Sequence, residues 1–406
     1  MKEFKTVIFA LLAFALASCT PVPLVFADFD ASALDQSLFT VTSVKSTTIG
    51  EAMGGDATKV TTFETQEIAQ RLFEQVAKSH VIEVVGTYHT VDRHHNDIVL
   101  SGKVIIPTGV PIKRYVLLSH YTISANSQCP SRNFPMEAVL SNLGYVFVVP
   151  DYEGFGVTAS HPHPYLCMEQ TSTNVVDMFK AVRKMLEGSK YAPEFEDIFL
   201  MGYSQGAATT MAALSRIEVL DEPVKVRAAL VGGGPYDLSY TYQSYITSNY
   251  CSYPYALLMV AQGMVMSGDM DCDPAELMTP EVAVHFDDWV NSKVFTMKDI
   301  NNALGTRQTD KILGPKLMDP TSDYAVGFLR ELNKNSIALF AWTPQAPVYM
   351  LHSINDDVVP FENATKARSK WSDGNIQYNF GYYGGHGDAL PRFIFTVRTF
   401  LEEGKW

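Results

Sequence analysis

The 406-residue chain is 47% hydrophobic and 18% charged, enough apolar side chain for a large buried core and far too little charge for a disordered protein. Its 31 Lys and Arg against 44 Asp and Glu leave a net charge of −13. No basic run of the kind that tracks phosphates accompanies that balance, so nucleic acid and anionic membrane surfaces are poor partners.

In chain order, Lys2 and Lys5 precede an apolar run from Val7 to Ala17. The run is too short to span a bilayer and is built like a secretory signal peptide, so residues 1–18 are expected to be cleaved on export, with no transmembrane helix in the mature chain. Leu16-Ala17-Ser18-Cys19 resembles the lipobox at which bacterial lipoproteins are cleaved and acylated on the cysteine, while Val25-Phe26-Ala27 offers an ordinary cleavage site. The first reading gives a lipoprotein anchored at Cys19, periplasmic or on the cell surface; the second gives a secreted protein. Either leaves Cys129, Cys167, Cys251 and Cys272, an even number in an oxidising compartment, and two disulfides are the expectation. No Cys or His spacing suggests a metal site.

Residues 28–65 are rich in Ser, Thr, Asp and Ala with weak periodicity, and 19–79 as a whole reads as a loosely structured tether. β-Branched runs at 81–90 and 97–106 read as an antiparallel pair. Tyr115 to Ser119, Tyr145 to Val149, Ile198 to Met201, Ala228 to Val231 and Val348 to Leu351 are near-continuous apolar runs, as strands buried on both faces of a parallel sheet require. Helical stretches at about 134–143, 171–187, 205–216 and 362–371 alternate with them. The pattern predicts a doubly wound, mostly parallel α/β sheet over residues 80–237 and 344–406. Residues 238–343 contain amphipathic segments and no convincing strand, and read as a helical cap inserted into the sheet.

Gly202-Tyr203-Ser204-Gln205-Gly206 is a GxSxG placed between an apolar strand and an Ala-rich helix. That setting is what the motif needs: the strand-to-helix turn is so tight that its flanks must be Gly, and Ser204 is forced into a strained, accessible conformation above the helix N-terminus. A serine hydroxyl becomes a nucleophile when a histidine takes its proton and a carboxylate holds that histidine's tautomer. In the chain order Ser, acid, His, the acid is Asp356, in the loop His352-Ser353-Ile354-Asn355-Asp356-Asp357-Val358-Val359-Pro360 at a strand's C-terminal end. The histidine is His386, in the Gly-rich loop Tyr383-Gly384-Gly385-His386-Gly387-Asp388 after the last strand, Ile376 to Tyr382. Asp357 and Asp237 are the rival acids. His89, His94, His95, His161 and His163 read as exposed or structural. The oxyanion donors are expected to be the backbone amides of Gln205 and of Thr122, the latter in the loop His120-Tyr121-Thr122.

These segments resemble the secretory lipase family of the α/β-hydrolase superfamily. Besides the serine motif, the resemblance rests on His120-Tyr121-Thr122 followed by Ser127-Gln128-Cys129-Pro130-Ser131, on Asp151-Tyr152-Glu153-Gly154-Phe155-Gly156 followed by His163-Pro164-Tyr165-Leu166, and on the HxxxDxxVP pattern around Asp356. It covers about residues 80–400 and departs at Tyr121, where the bacterial members usually carry Gly. The resemblance implies the α/β-hydrolase fold with a helical cap between nucleophile and acid, and cofactor-free hydrolysis of carboxylic esters, from triacylglycerols to small acyl esters. Tyr121, Tyr203, Tyr255 and Met259 are taken as substrate-facing, and the apolar segment Tyr255 to Met266 suits an apolar or aromatic acyl group. The alternative enzyme is a serine exopeptidase or acylaminoacyl peptidase, since the same triad cleaves amides; a non-catalytic binding module on the same fold is the third reading.

Overall fold

The computed structural model describes residues 29–54, 74–268 and 270–405. The expected signal peptide and Cys19 lie outside the described residues. Nine strands, β1 (Phe39–Thr48), β2 (His80–Val91), β3 (Asp97–Pro107), β4 (Arg114–Ser119), β5 (Tyr145–Pro150), β6 (Ile198–Tyr203), β7 (Val226–Gly232), β8 (Val348–Ser353) and β9 (Ile376–Gly381), form one sheet in the order β1-β2-β3-β5-β4-β6-β7-β8-β9. Pairing is antiparallel from β1 to the β3–β5 contact and parallel from β5 through to β9. Every residue of β5 and β6 is buried, which is why these strands read as unbroken apolar runs rather than alternating ones.

Helices α1 (Met168–Leu186), α2 (Gln205–Val219) and α8 (His386–Glu403) pack on the sheet, and α7 (Glu362–Lys370) lies between β8 and β9 in the chain. One core lies between β4, β5 and β6 and the last helix, where Val116, Leu118, Phe147, Val149 and Met201 pack with Phe393, Ile394 and Val397. Between β7 and β8 come α3 (Leu238–Ser248), α4 (Tyr255–Met266), α5 (Met297–Leu304), α6 (Asp323–Lys334) and several single turns. The described residues there hold no strand, only an isolated bridge between Met278 and Leu313.

Three expectations differ from the structure. Part of the expected tether is strand β1, paired with β2 in a register that sets Phe39 opposite Tyr88 and lays its ring over Gly86, where an added Cβ would come within 2.3 Å of the ring. Most of β1 is exposed, so it lacks the alternation of a half-buried strand, and its Ser, Thr and Lys composition is that of an edge that must not pair further. Second, His386 does not sit in a free loop but opens α8, with Gly385 as N-cap and the Asp388 carboxylate accepting from the Gly385 N–H at 3.3 Å; Gly387 and Pro391 mask the helical pattern. Third, Cys129, Cys167, Cys251 and Cys272 are free thiols. They stand in separate surroundings: Cys129 beside Ser131, Cys167 donating to the Gly263 carbonyl at 3.0 Å, Cys251 buried near Tyr245, Cys272 partly exposed.

The stretch before β5 is a 3₁₀-helix, Met136–Leu143, ended by Gly144 at φ 93°. Glu137 within it is fully buried, and neither carboxylate oxygen has a partner in another of the described residues. Burial pushes its carboxyl up to about 7 from 4.5. The folded state therefore keeps a proton that the unfolded chain releases, so stability should fall as pH rises through that interval and level off above it. In Glu137→Gln this contribution to the slope should vanish, read from thermal unfolding midpoints between pH 4 and 8; a variant with the wild-type slope contradicts the assignment.

Candidate active site

The C-terminal ends of the parallel strands lie side by side: Ser119 pairs with Gly202, Tyr203 with Gly232, and Gly232 with Leu351. Loops leaving these ends converge on one place, as in other open α/β sheets. Ser204 is at the turn from β6 to α2, with φ 57° and ψ −123°, a conformation that costs a non-glycine residue about 1–3 kcal/mol. Its N–H is held by the Gly232 carbonyl at 2.8 Å. The turn closes because both flanks lack side chains: a Cβ on Gly202 would sit 2.1 Å from the Gly206 oxygen, and one on Gly206 would sit 2.0 Å from the Ser119 oxygen.

Ser204 Oγ lies 2.8 Å from His386 Nε2, and His386 Nδ1 lies 2.8 Å from Asp356 Oδ2. A carboxylate only accepts, so the Nδ1 nitrogen carries the proton and the Nε2 lone pair faces the serine hydroxyl. Asp356 is fixed in turn by the Val358 and Val359 amides, which donate to Oδ1 at 2.9 and 2.8 Å. Burial works to raise its carboxyl, but His386, His352 and the Val358 amide outweigh that and hold it below the usual carboxylate range. For His386, burial pulls the imidazole down, yet the Asp356 charge and hydrogen bond prevail and the net shift is upward. The arrangement can take a proton from Ser204 and return it to a leaving group.

The rival acids do other work. Asp357 Oδ1 accepts from the His386 backbone N–H at 2.8 Å, so it places the histidine's main chain. Asp237 caps α3 through the Tyr240 N–H at 2.9 Å and pairs with Lys366 at 2.8 Å. Tyr203, expected to face substrate, is buried beneath the histidine, with its hydroxyl donating to the His386 carbonyl at 2.7 Å and its ring 5.2 Å from the imidazole. Tyr255 and Met259 are buried on α4, Tyr255 near Tyr165 and Ser124. Tyr121 packs against Ile123, Cys129 and Phe155. Gln205 is the first residue of α2, and the close approach of Gly206 to Ser119 sets this helix start beside the loop carrying Thr122.

Residues outside the expected site also meet here. His163, read as exposed or structural, is buried, and its Nε2 is 3.0 Å from the Gln205 side-chain nitrogen. From the helical interval, Tyr245 and Ser252 donate their hydroxyls to the Val358 and Asp357 carbonyls of the acid loop. Their separation from Asp356 by about a hundred positions leaves no local signal. Among the described residues no cluster of His, Cys, Asp or Glu could hold a metal ion, and no helix is long and apolar enough to cross a membrane.

The chain matches the secretory lipase family model over residues 132–259, which takes in Ser204 and stops short of Asp356 and His386. A comparison with curated proteins finds no match. Among solved structures, the rice cell wall degrading esterase LipA of Xanthomonas oryzae is 22% identical with a TM-score of 0.72, over 90% of this chain and 99% of that one. Candida antarctica lipase A in its closed state is 16% identical with a TM-score of 0.62, over 90% of this chain and 83% of the other. The fold is that of the α/β-hydrolases.

The electrostatics of the pair can be read directly. The His386 ring should titrate above its ordinary value of about 6.5, followed by its imidazole proton resonances. In Asp356→Asn the larger raising charge is gone, leaving the Asp357 charge alone against the downward pull of burial, so the same ring should titrate lower than in the wild type. A midpoint unmoved by the substitution would contradict the balance described.

Proposed function

We propose that this α/β-hydrolase with its secretory lipase segment, a lipase or esterase by that likeness, cleaves carboxylic esters through a Ser-His-Asp triad and an acyl-enzyme. The observation that carries the reading is the unbroken hydrogen-bonded line from Asp356 through His386 to Ser204, with 2.8 Å at each link. His386 takes the Ser204 proton as Oγ attacks the ester carbonyl. The tetrahedral oxyanion is met by the Gln205 and Thr122 amides, the former at the positive end of α2. The alcohol departs with the proton from His386, and water, deprotonated by the same imidazole, then releases the acid from Ser204. Asp356 stays ionised throughout and stabilises the imidazolium.

Residues 238–343 are proposed as a cap over this site, anchored to the acid loop by Tyr245 and Ser252. Within it Leu257, Leu258, Met259, Ala261 and Met264 of α4 are all buried, and the apolar Leu and Met character of this helix supports an apolar acyl group as the preferred substrate half. Export follows the secretory likeness, and we place the mature chain at a membrane surface through a lipid on Cys19.

Ser204→Ala should lower kcat by about 10⁴-fold or more with an unchanged melting temperature, measured on p-nitrophenyl esters of increasing acyl length beside aminoacyl anilides. Wild-type turnover in this variant would overturn the assignment, and preference for the anilides would replace the esterase by a peptidase. In the wild type, kcat/KM should fall as pH drops through the His386 pKa, on the alkaline side of an ordinary histidine, because only the neutral ring is a base.

A further inference from the structure

The DYEGFG and HPYL segments, residues 151–156 and 163–166, lie outside the triad. Tyr152 is buried at φ 66°, a left-handed conformation rare for a bulky side chain. Its hydroxyl donates to the His120 carbonyl at 3.2 Å, and the His120 ring stacks on its own at 4.0 Å between centroids. The loop that leads to Thr122 is thereby gripped at its root. Tyr165 grips it farther on, with its hydroxyl 2.9 Å from Thr122 Oγ1.

His163 takes the other side. Its Nδ1 is 2.6 Å from the Glu153 carbonyl, which only accepts, so Nδ1 bears the proton and Nε2 is an acceptor for the Gln205 side-chain amide at 3.0 Å. His163 and Gln205 are each 1% exposed, so this contact is not shared with bulk water. His163 reaches its position because Gly154 has no side chain: a Cβ there would lie 2.7 Å from the His163 backbone. Burial, with the Lys293 ammonium nearby, keeps the ring neutral down to about pH 3, so the acceptor persists across any working pH. Helix α4 rests on the same segment, Gln262 donating to the His163 carbonyl at 3.3 Å and Cys167 to the Gly263 carbonyl at 3.0 Å.

We infer that residues 151–166 form the cradle of the oxyanion hole, with His163 and Tyr165 as positioning residues that fix Gln205 and Thr122 respectively. The inference rests on the acyl-transfer reading. Neither side chain touches the reacting atoms; each holds the element whose backbone N–H must meet a developing negative charge, and a misplacement of such a donor by about 1 Å costs about 100-fold.

The test compares His163→Phe, which keeps a ring and removes the acceptor, with His163→Gln, which restores an acceptor, and with Gln205→Met and Tyr165→Phe. Turnover is expressed per active site titrated with a fluorophosphonate, beside KM and the affinity for an alkylboronic acid that forms a tetrahedral serine adduct. His163→Phe should lower kcat and boronate affinity together by about 10- to 100-fold with little change in KM. His163→Gln should recover most of that, Tyr165→Phe should lose less, and the His163→Phe/Gln205→Met double variant should lose no more than the worse single one. A kcat per site within about two-fold of wild type in both His163→Phe and Gln205→Met overturns the inference, as does a fall in kcat with unchanged boronate affinity, or additive losses in the double variant. Should His163→Phe not fold, Gln205→Met against Tyr165→Phe decides by the same readouts. Ser204→Ala separates the two levels: turnover surviving in it fails the catalytic reading, whereas an inactive Ser204→Ala beside unaffected His163→Phe and Gln205→Met fails the cradle alone.

Discussion

Much of this molecule follows from holding Ser204 where a serine would not settle by itself. Its backbone is at φ 57°, and a free chain relaxes from such a conformation because the Cβ crowds the neighbouring carbonyl. It persists because β6 is locked between β4 and β7 and because α2 starts against the end of β4, the two backbones meeting at Gly206 and Ser119. A side chain at either flanking glycine would push these apart. The sheet is thus a clamp, and its buried apolar strands stiffen the clamp as well as supplying its stability.

The histidine and acid are placed by a second economy of contacts. Asp356 spends both its oxygens, one on two amides of its own turn and one on His386, so its charge is compensated in a buried site where an unpaired carboxylate would be costly. Asp357, one position on, holds the His386 amide. Adjacent aspartates therefore serve the ring and the backbone of one residue, while Tyr203 supports that residue from below. The upward shift of His386 and the downward shift of Asp356 are the two faces of this one attraction winning over burial.

Three contacts between the helical interval and the site end on carbonyl oxygens: the Tyr245 and Ser252 hydroxyls reach those of the acid loop, and the Gln262 side chain that of His163. A backbone carbonyl is an acceptor whatever side chain its position carries, so these anchors do not depend on the side chains of the residues that receive them.

Local chemistry made much of this legible in advance. The parallel strands are recognisable because burial on both faces demands continuous Val, Ile and Leu. The serine turn is recognisable because its steric demand for glycine is local, and Asp356 and His386 because each follows a strand end in the required order. What the sequence by itself determined was therefore whatever depends on near neighbours: the sheet, the elbow and the order of Ser204, Asp356 and His386. Tertiary structure alone decided the rest. β1 was hidden because an edge strand buries little, the α8 start because glycine and proline weaken its pattern, and the free thiols because pairing depends on where distant elements come to lie. The roles of Asp357, Tyr203 and His163 were hidden for a related reason: an aspartate, a tyrosine or a histidine is chemically the same whether it reacts, supports or fills space, and only the partner brought to it by the fold, sometimes a hundred or more positions away, chooses among those uses.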